Sequence, residues 1–336
     1  MDEKNMQFAN FNITFGEDDA PMLEHFSDII FPAFSGNYIR GKRDSVPRYS
    51  FGGIQIKEID NEYVMVGNYI KETQYKVVTT VQEGVLASTP ADIPTAPYSR
   101  FVVFLKNHRM ILVRNETASP DIRSFQATVR EILNQYIRDV NRERDQNNKL
   151  PIAIAHIVDI PLKDSIADVL KNVNKVSWFK LRFFPLNNDL DPTPLAQHIR
   201  EKMGKAGSKT ANIVFNSPGS KKGISEMIAE TGGMAVASLQ IVDNDGEKRR
   251  IKEGSFSSTA KIEYDGNIRP NGDEYLISQA KKDGIIANIS PENARLYEQT
   301  KDYLKTLISQ YSRNSLHNYP LLCALNCCYI NGFEDG

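Results

Sequence analysis

The sequence predicts an α+β fold in two domains, an antiparallel N-terminal sheet with one long helix and a mixed C-terminal sheet with helices on one face. The chain has 336 residues, more than one hydrophobic core usually serves, so two domains of about 150 residues each are expected. Strand-like segments fill the first half, whereas strand-like and helix-like segments alternate in the second. Hydrophobic residues make up 40% and charged residues 25% of the chain, which is typical of folded proteins.

The first half is predicted to hold a short helix and a sheet of about five strands. Apolar residues at helical spacing run through residues 18–30 and end before Pro32. Residues 49–81 read as three antiparallel strands. Their turns are assigned to Gly52-Gly53, Asp60-Asn61 and Gly67-Asn68. After a proline-rich connection at residues 90–97, residues 101–113 have the pattern of a hairpin.

One long helix is the most clearly marked element. Ser119, Pro120 and Asp121 supply an N-cap, a first-turn proline and an acid at the positive helix end, and apolar residues follow on one face through residue 140. The polar stretch of residues 141–151 then indicates a domain boundary. We therefore predict an N-terminal domain of residues 1–149, a C-terminal domain of residues 150–316 and an apolar, cysteine-containing tail of residues 317–336.

The second half is predicted to alternate strands and helices. The strands are expected at residues 152–160, 176–184, 212–215 and 234–242, and the helices at residues 162–173, at residues 194–203 and just before Gly232-Gly233. A turn at residues 243–246 leads into returning strands through Tyr264, and a final helix begins at residues 290–292. Together these segments predict a mixed sheet with helices on one face.

Cysteine usage and hydropathy predict a cytoplasmic protein without direct membrane insertion. The three cysteines, Cys323, Cys327 and Cys328, crowd near the end of the sequence, in a spacing that resembles neither a disulfide framework nor a zinc site. The longest apolar run, residues 319–330, is shorter than the roughly 20 residues that cross a bilayer, and the acidic start does not resemble a signal peptide. No metal and no cofactor are predicted.

Nucleic-acid binding is predicted from four local basic clusters, because the net charge of −1 gives no overall attraction to a polyanion. The clusters are Lys202, Lys205 and Lys209; Lys221 and Lys222; Lys248, Arg249 and Arg250; and Arg40, Lys42 and Arg43. The second lies at a predicted helix N-terminus, which suits a phosphate, and the fourth is interleaved with Tyr38, Tyr49 and Phe51, which suit base stacking. For each cluster the alternative is an ordinary solvated surface.

No catalytic motif supports an enzyme. Residues 204–210 lack both the glycine before the lysine and the preceding strand of a phosphate-binding P-loop. The histidines are scattered singly, and His156, within an apolar strand, is interpreted as an interior or sheet-edge residue. Catalysis is left open only through acids that the sequence alone cannot bring together, namely Asp189, Asp191, Asp243 and Asp245.

Two stretches resemble the phage-exclusion family of Rex exclusion protein A of phage lambda in the order and texture of their elements. They are PYSRFVVFLKNHRMILVRNETASPDIRSFQATVREIL and GGMAVASLQIVDNDGEKRRIKEGSFSSTAKIEY, within a similarity that covers residues 38–265. The resemblance implies a dimeric, non-enzymatic DNA-binding protein that excludes or senses phage and contacts mainly the phosphate backbone. It implies no residue-level matches, so the candidate site residues come from charge alone.

We therefore expect a cytoplasmic, sequence-nonspecific DNA-binding protein of a bacterial anti-phage defence or phage-exclusion system, which contacts the backbone of duplex DNA and forms a homo-oligomer. Two alternatives stand beside this expectation. The first is a protein-interaction subunit of a multi-protein defence complex. The second is a metal-dependent nuclease or nucleotide-sensing effector.

Overall fold

The computed structural model of the protein describes residues 2–82, 84–161, 163–184, 193–251, 259–264, 272–282, 284, 286 and 290–317. These residues form two sheets, of ten and four strands, and seven α-helices. The predicted α+β class is confirmed, because antiparallel sheets and helices pack on one another. Apart from residue 317, the predicted tail with its three cysteines lies outside the described residues.

The strands include several that are much longer than the usual five or six residues. In chain order they are β1 (Asp2–Phe15), β2 (Ala20–Pro21), β3 (Ile39–Arg40), β4 (Arg48–Ile59), β5 (Glu62–Gln82), β6 (Val85–Thr95), β7 (Tyr98–Phe104), β8 (Arg109–Arg114), β9 (Ala153–Asp159), β10 (Val173–Phe183), β11 (Ala211–Asn216), β12 (Ala235–Asp243), β13 (Lys248–Ile251) and β14 (Thr259–Tyr264).

The seven helices of the described residues include two long ones, Ile122–Arg142 and Pro291–His317. In chain order they are α1 (Phe31–Ser35), α2 (Ile122–Arg142), α3 (Lys163–Lys171), α4 (Pro194–Ala206), α5 (Lys221–Glu230), α6 (Gly272–Lys282) and α7 (Pro291–His317). A 3₁₀ turn (Met22–His25) and a π-helical turn (Phe26–Ile30) run directly into α1, and a further 3₁₀ turn (Gln146–Asn148) follows α2.

Strand β1, to which the sequence analysis assigned no element, organises the larger sheet. β8 pairs with one edge of β1, and β14 and then β9 pair with the other edge. From β8 the sheet continues through β7, β5, β4 and β3, and β6 pairs with the far half of β5. β9 and β14 thus join a sheet whose other strands all precede residue 115. The predicted boundary at residue 149 does not separate the strands of this sheet.

Both faces of the larger sheet are covered. On one face α1, α2 and α7 pack over an aromatic cluster in which the rings of Phe34, Phe51, Phe101 and Phe125 contact one another. On the other face α6 packs against β1, β5 and β7 through its buried Leu276 and neighbouring apolar residues. Strand β1 serves both cores because its side chains alternate between the two faces.

The smaller sheet has the strand order β11-β10-β12-β13. Its described pairs are all antiparallel, whereas a mixed sheet was expected. The expected returning strand through Tyr264 is β14, and it pairs with β1 instead. Helices α3 and α5, together with buried residues of α4, share one core with the inward side chains of this sheet. The helices therefore cover one face, as the sequence predicted.

Two local predictions in the first half are wrong. The expected turn at Gly67-Asn68 is absent, and β5 runs straight through it. Gly67 is needed there for close packing, because a Cβ atom would lie 2.4 Å from Cδ1 of Ile54 and 2.8 Å from Cζ of Phe101. The expected proline-rich connection is instead part of the edge strand β6, where prolines are tolerated.

Candidate nucleic-acid interface

The smaller sheet presents its outward side chains to solvent, and we call this surface the open face. The strand registers define its positions as Lys175, Trp178, Lys180, Arg182, Asn212, Val214, Asn216, Val236, Ser238, Gln240, Val242, Lys248 and Arg250. Five of these residues are basic and none is acidic. Ser238, at the centre, is the one buried member of the set, and the others are exposed or half-buried.

The open face follows from a simple alternation along β10. Phe179, Leu181 and Phe183 point inward and are buried in the core under α3 and α5. Trp178, Lys180 and Arg182 therefore point outward, because successive side chains of a strand lie on opposite faces. A β-bulge before Trp178 determines which of these side chains point outward, because the register shifts between residues 176 and 178.

The five cations of the open face make no ion pair with an acid of the described chain. By contrast, four basic side chains elsewhere donate to a carboxylate oxygen, namely Arg48, Lys57, Arg100 and Lys209. Lys180 and Arg182 are two residues apart on one strand, so their Cα atoms lie about 6.6 Å apart. Lys175 and Lys248 stand near the opposite end of the sheet, next to Val242 in the register. The result is an uncompensated basic surface.

One aromatic ring lies within this basic surface. The guanidinium carbon of Arg250 is 5.3 Å from the centroid of the Trp178 ring, within the range of a cation–π contact. Trp178 is half-buried, and its cross-strand neighbours Asn216 and Gln240 are polar. An indole that is flanked by an arginine and by polar side chains offers a flat surface for a second planar group.

The third predicted basic cluster is divided by the sheet. Lys248 and Arg250 lie on the open face, but Arg249 points to the other side of β13. There its Nη2 atom donates to Oδ1 of Asp243 at 3.1 Å, and this contact raises the pKa of Arg249. Arg249 is therefore paired with an acid and is not part of the open face.

The first and second predicted clusters do not form a common surface with the open face. Lys202 and Lys205 are exposed on α4, and Lys222 is exposed on α5. Lys209 reaches the other sheet, where its Nζ atom lies 2.9 Å from Oδ2 of Asp19. Lys221 donates to the backbone carbonyl oxygen of residue 173. Two of these five lysines thus have an intramolecular role.

The fourth predicted cluster contains one structural residue and two exposed ones. Arg40 donates from Nε to Oγ1 of Thr128 and from Nη2 to Oγ of Ser124, both at 2.8 Å, and its guanidinium carbon lies 3.9 Å from the Tyr49 ring centroid. These contacts hold β3 against α2, so Arg40 is occupied within the fold. Lys42 and Arg43 are exposed in the loop that follows and have no place on the open face.

A groove of about 640 Å³ begins at the end of the open face where Arg182 lies. Its walls are apolar residues of the larger sheet's rim, including Leu150, Ile152 and Ile154, and Lys209 closes one side. His156 also lines the groove, and its ring stacks on Phe184 with the centroids 4.2 Å apart. Burial, together with the charges of Arg130 and Arg182, lowers the pKa of His156 to about 4. The imidazole is therefore neutral at pH 7, as an interior histidine is expected to be.

Of the four acids that were considered for catalysis, the structure describes Asp243 and Asp245. Asp189 and Asp191 lie outside the described residues, and Asp243 is paired with Arg249. Among the residues that the structure describes, no three His, Cys, Asp or Glu side chains are placed to hold a metal ion. In the same part of the chain, no helix is both long enough and apolar enough to cross a membrane.

Sequence reasoning missed three of the five cations of the open face, Lys175, Lys180 and Arg182, and its indole, Trp178. The signal for three of them was present, since Trp178, Lys180 and Arg182 alternate with three apolar residues. The search for basic clusters along the chain favoured loops, where charges are consecutive. It passed over a strand, where the members of one face are two residues apart. Comparisons with family models, with curated proteins and with solved structures found no match to this chain.

Proposed function

We propose that this protein binds single-stranded nucleic acid on the open face, without specificity for base sequence. The observation that supports this proposal is the combination of five cations, which make no ion pair within the described chain, with one indole on a sheet face that has no acidic residue. Cations neutralise backbone phosphates, and an aromatic ring stacks with any base. Neither contact depends on which base is present.

The shape of the open face favours a single strand over the duplex DNA that the basic loops led us to expect. Four strands about 4.8 Å apart make a surface about 14 Å wide before side chains are added. The major groove of B-DNA is about 12 Å wide and admits a helix or a two-stranded ribbon. A sheet of four strands is too broad to enter it, whereas unstacked bases of a single strand can lie flat on such a surface.

Binding should be measured by fluorescence anisotropy with a labelled single strand of mixed sequence, and with the matching duplex, at about 50 and 200 mM salt. Five phosphate contacts on a single strand predict a loss of affinity of about 100-fold over this range. The double substitution Lys180→Glu and Arg250→Glu should weaken binding by at least tenfold, because two contacts become repulsions. Electrophoresis of the strand after incubation with magnesium reports any cleavage.

The matched control is the double substitution Lys202→Glu and Lys205→Glu, which makes the same change in net charge on α4. We expect this control to retain most of the wild-type affinity. If the control weakens binding as much as the open-face variant does, the surface is misassigned and overall charge governs the interaction. If wild-type protein binds neither probe at about 50 mM salt, nucleic-acid binding itself is wrong.

The remaining parts of the functional expectation stay predictions. A role in bacterial phage exclusion and a cytoplasmic location rest on the resemblance in element order and on cysteine usage, and the open face does not test them. The alternatives, an interaction subunit of a multi-protein defence complex and a metal-dependent nuclease or nucleotide-sensing effector, also stay predictions.

A further inference from the structure

The outer half of β5 and the whole of β6 form a two-stranded ribbon that we call the arm. Residues 73–82 of β5 pair with residues 85–95 of β6. On its opposite edge β5 pairs with β4 only up to Glu72. Beyond that residue the described part of the chain offers β5 no second neighbour. The arm thus extends from the larger sheet without support.

The arm exposes more large apolar side chains than any other part of the described chain. Five of the ten large hydrophobic residues that are exposed belong to it, with exposed fractions from 50% to 74%. These residues are Tyr75, Leu86 and Ile93, which the register places on one face of the ribbon, and Val78 and Val85, which lie on the other. A two-stranded ribbon is marginally stable by itself in water, and clustered exposed apolar side chains indicate a binding site. The arm has the properties of a segment that is covered by another chain.

The two edges of the arm differ. β6 contains Pro90 and Pro94, which lack an N–H group and so protect its outer edge from pairing. The free edge of β5 over residues 73–82 contains no proline and is rich in β-branched residues. A further strand can therefore be added next to β5 but not next to β6.

The direction of the free N–H groups follows from the hydrogen bonds. The backbone N of Lys71 donates to the carbonyl oxygen of Pro97, on the side of β6 and β7, at 2.9 Å. N–H groups alternate in direction along a strand, so those of Gln74 and Lys76 point away from β6. Pro94 lies opposite Gln74 in the register. Proline has no N–H group, so it can stand only at a position that makes no N–H bond to β5, and this agrees with a Gln74 N–H that points away from β6.

We propose that the arm is a dimerisation element, in which the free edge of β5 pairs with the same edge of a second copy of this chain. Two identical strands that pair antiparallel are related by a twofold axis, which is the commonest symmetry of protein oligomers. The pairing extends the two arms into one four-stranded sheet, and it lets the face of each arm that carries Tyr75, Leu86 and Ile93 pack on the other protomer. This inference does not depend on nucleic-acid binding.

The area available is sufficient for a stable dimer. Ten residues of β5 and eleven of β6 make the arm about 35 Å long, and two strands make it about 10 Å wide, so one face covers roughly 350 Å². When two arms pack reciprocally, each protomer contributes one arm face and one receiving surface, or roughly 700 Å². That lies within the usual contribution per partner in a specific protein interface.

The test is the mass of the protein without nucleic acid, measured by light scattering and sedimentation up to about 50 µM, because interfaces of this size have micromolar or lower dissociation constants. We expect twice the chain mass of 37.9 kDa. Leu86→Asp should raise the dissociation constant at least about 30-fold, since it places an unpaired charge in an apolar contact. Lys76→Pro should do the same by removing an outward N–H group while leaving the β5–β6 bonds intact.

The matched control is Ile152→Asp, because Ile152 is similarly exposed, at 70%, but lies outside the arm. It should leave the dimer unchanged. Each variant is first compared with the wild type by thermal unfolding, and single cysteines at residues 74, 76 and 78, in a chain whose native cysteines are serine, should form an intermolecular disulfide near the twofold axis. A monomeric wild type, or a dimer that both arm variants retain, overturns the proposal.

Discussion

The two sheets differ in whether their basic side chains have acidic partners. On the covered face of the larger sheet, Arg100 and Lys57 both bind the carboxylate of Asp273, which is buried on α6. On the open face of the smaller sheet, Lys180 and Arg182 face solvent and have no acid within reach in the described chain. A cation on a buried face needs a counter-charge from its own chain, whereas cations on an open face remain available to a ligand.

Asp273→Asn should have the largest effect, since it breaks the charge network of the covered face. Burial alone raises the pKa of Asp273, but hydrogen bonds from Arg100 and Lys57 outweigh it, and the net shift is downward. Its contribution to stability is present above the unfolded-state pKa and is lost as the pH falls through the lower folded-state value. Removing the charge leaves the side chain of Arg100 buried without its partner, so we expect a loss of about 3 kcal/mol in unfolding free energy.

Urea unfolding at pH 7 measures this loss, and Asp139→Asn is the matched control. Asp139 pairs with Arg142 three residues along α2, and both side chains are well exposed, so the control should cost less than about 1 kcal/mol. Equal losses in the two variants would contradict the distinction between the covered and open surfaces. Nucleic-acid affinity should be unchanged in both, because neither residue is on the open face.

The sequence predicts an element or a contact well only when the residues that interact are close together along the chain. The helix α2 was predicted from its own apolar stripe and its cap, although the capping side chain is Asp121, which accepts from the N–H of Ser124, rather than Ser119. The central strand β1 was not predicted, because its neighbours β9 and β14 lie about 150 and 250 residues away.

The candidate site follows the same rule. Lys209 was read as a free cation, and its acidic partner, Asp19, is 190 residues away in the chain. Arg40 is similar, since the hydroxyl groups that it binds belong to a helix more than 80 residues later. The part of the open face on β10, with Trp178, Lys180 and Arg182, is local to one strand and was within reach of a period-two search. Counting charges along the chain cannot separate paired from unpaired cations.

His156, at the junction of the two sheets, predicts an intermediate effect that depends on pH. Its folded-state pKa of about 4 lies below the ordinary value of 6.5. The unfolded chain therefore binds the extra proton between these values, and stability falls as the pH drops from 6.5 towards 4. This single group should lower the unfolding free energy by about 2 to 3 kcal/mol between pH 7.5 and pH 4.5.

The measurement is urea unfolding of the wild type and of His156→Gln at both pH values, with exposed His198→Gln as the control. The glutamine variant at residue 156 should lose about 2 to 3 kcal/mol less than the wild type on acidification, because it cannot take up the proton. The His198 variant should follow the wild type. If all three proteins lose the same amount, His156 is not held neutral at the junction.

Arg109 gives the most direct comparison with Arg100, because both side chains are largely buried but Arg109 has no acidic partner in the described chain. Its Nη1 atom is 3.4 Å from the carbonyl oxygen of Gly232, its Nε atom has no partner, and burial lowers its pKa to about 10. The same carbonyl oxygen also accepts from Nδ2 of Asn10 at 3.0 Å, so it stays satisfied when the arginine is removed. Arg109→Met should therefore change the unfolding free energy by less than about 1 kcal/mol, or even raise it, since the methionine avoids the desolvation of a charge.

Arg100→Met is the matched comparison, and it should cost about 3 kcal/mol because it leaves the carboxylate of Asp273 with only Lys57. Both substitutions remove a buried guanidinium and insert the same side chain, so the difference between them isolates the value of the acidic partner. Urea unfolding of both variants under one set of conditions gives that difference. If Arg109→Met is as costly as Arg100→Met, the weak contact to Gly232 contributes as much as a full ion pair. The contact between the two sheets, rather than charge pairing, would then explain why Arg109 is buried there.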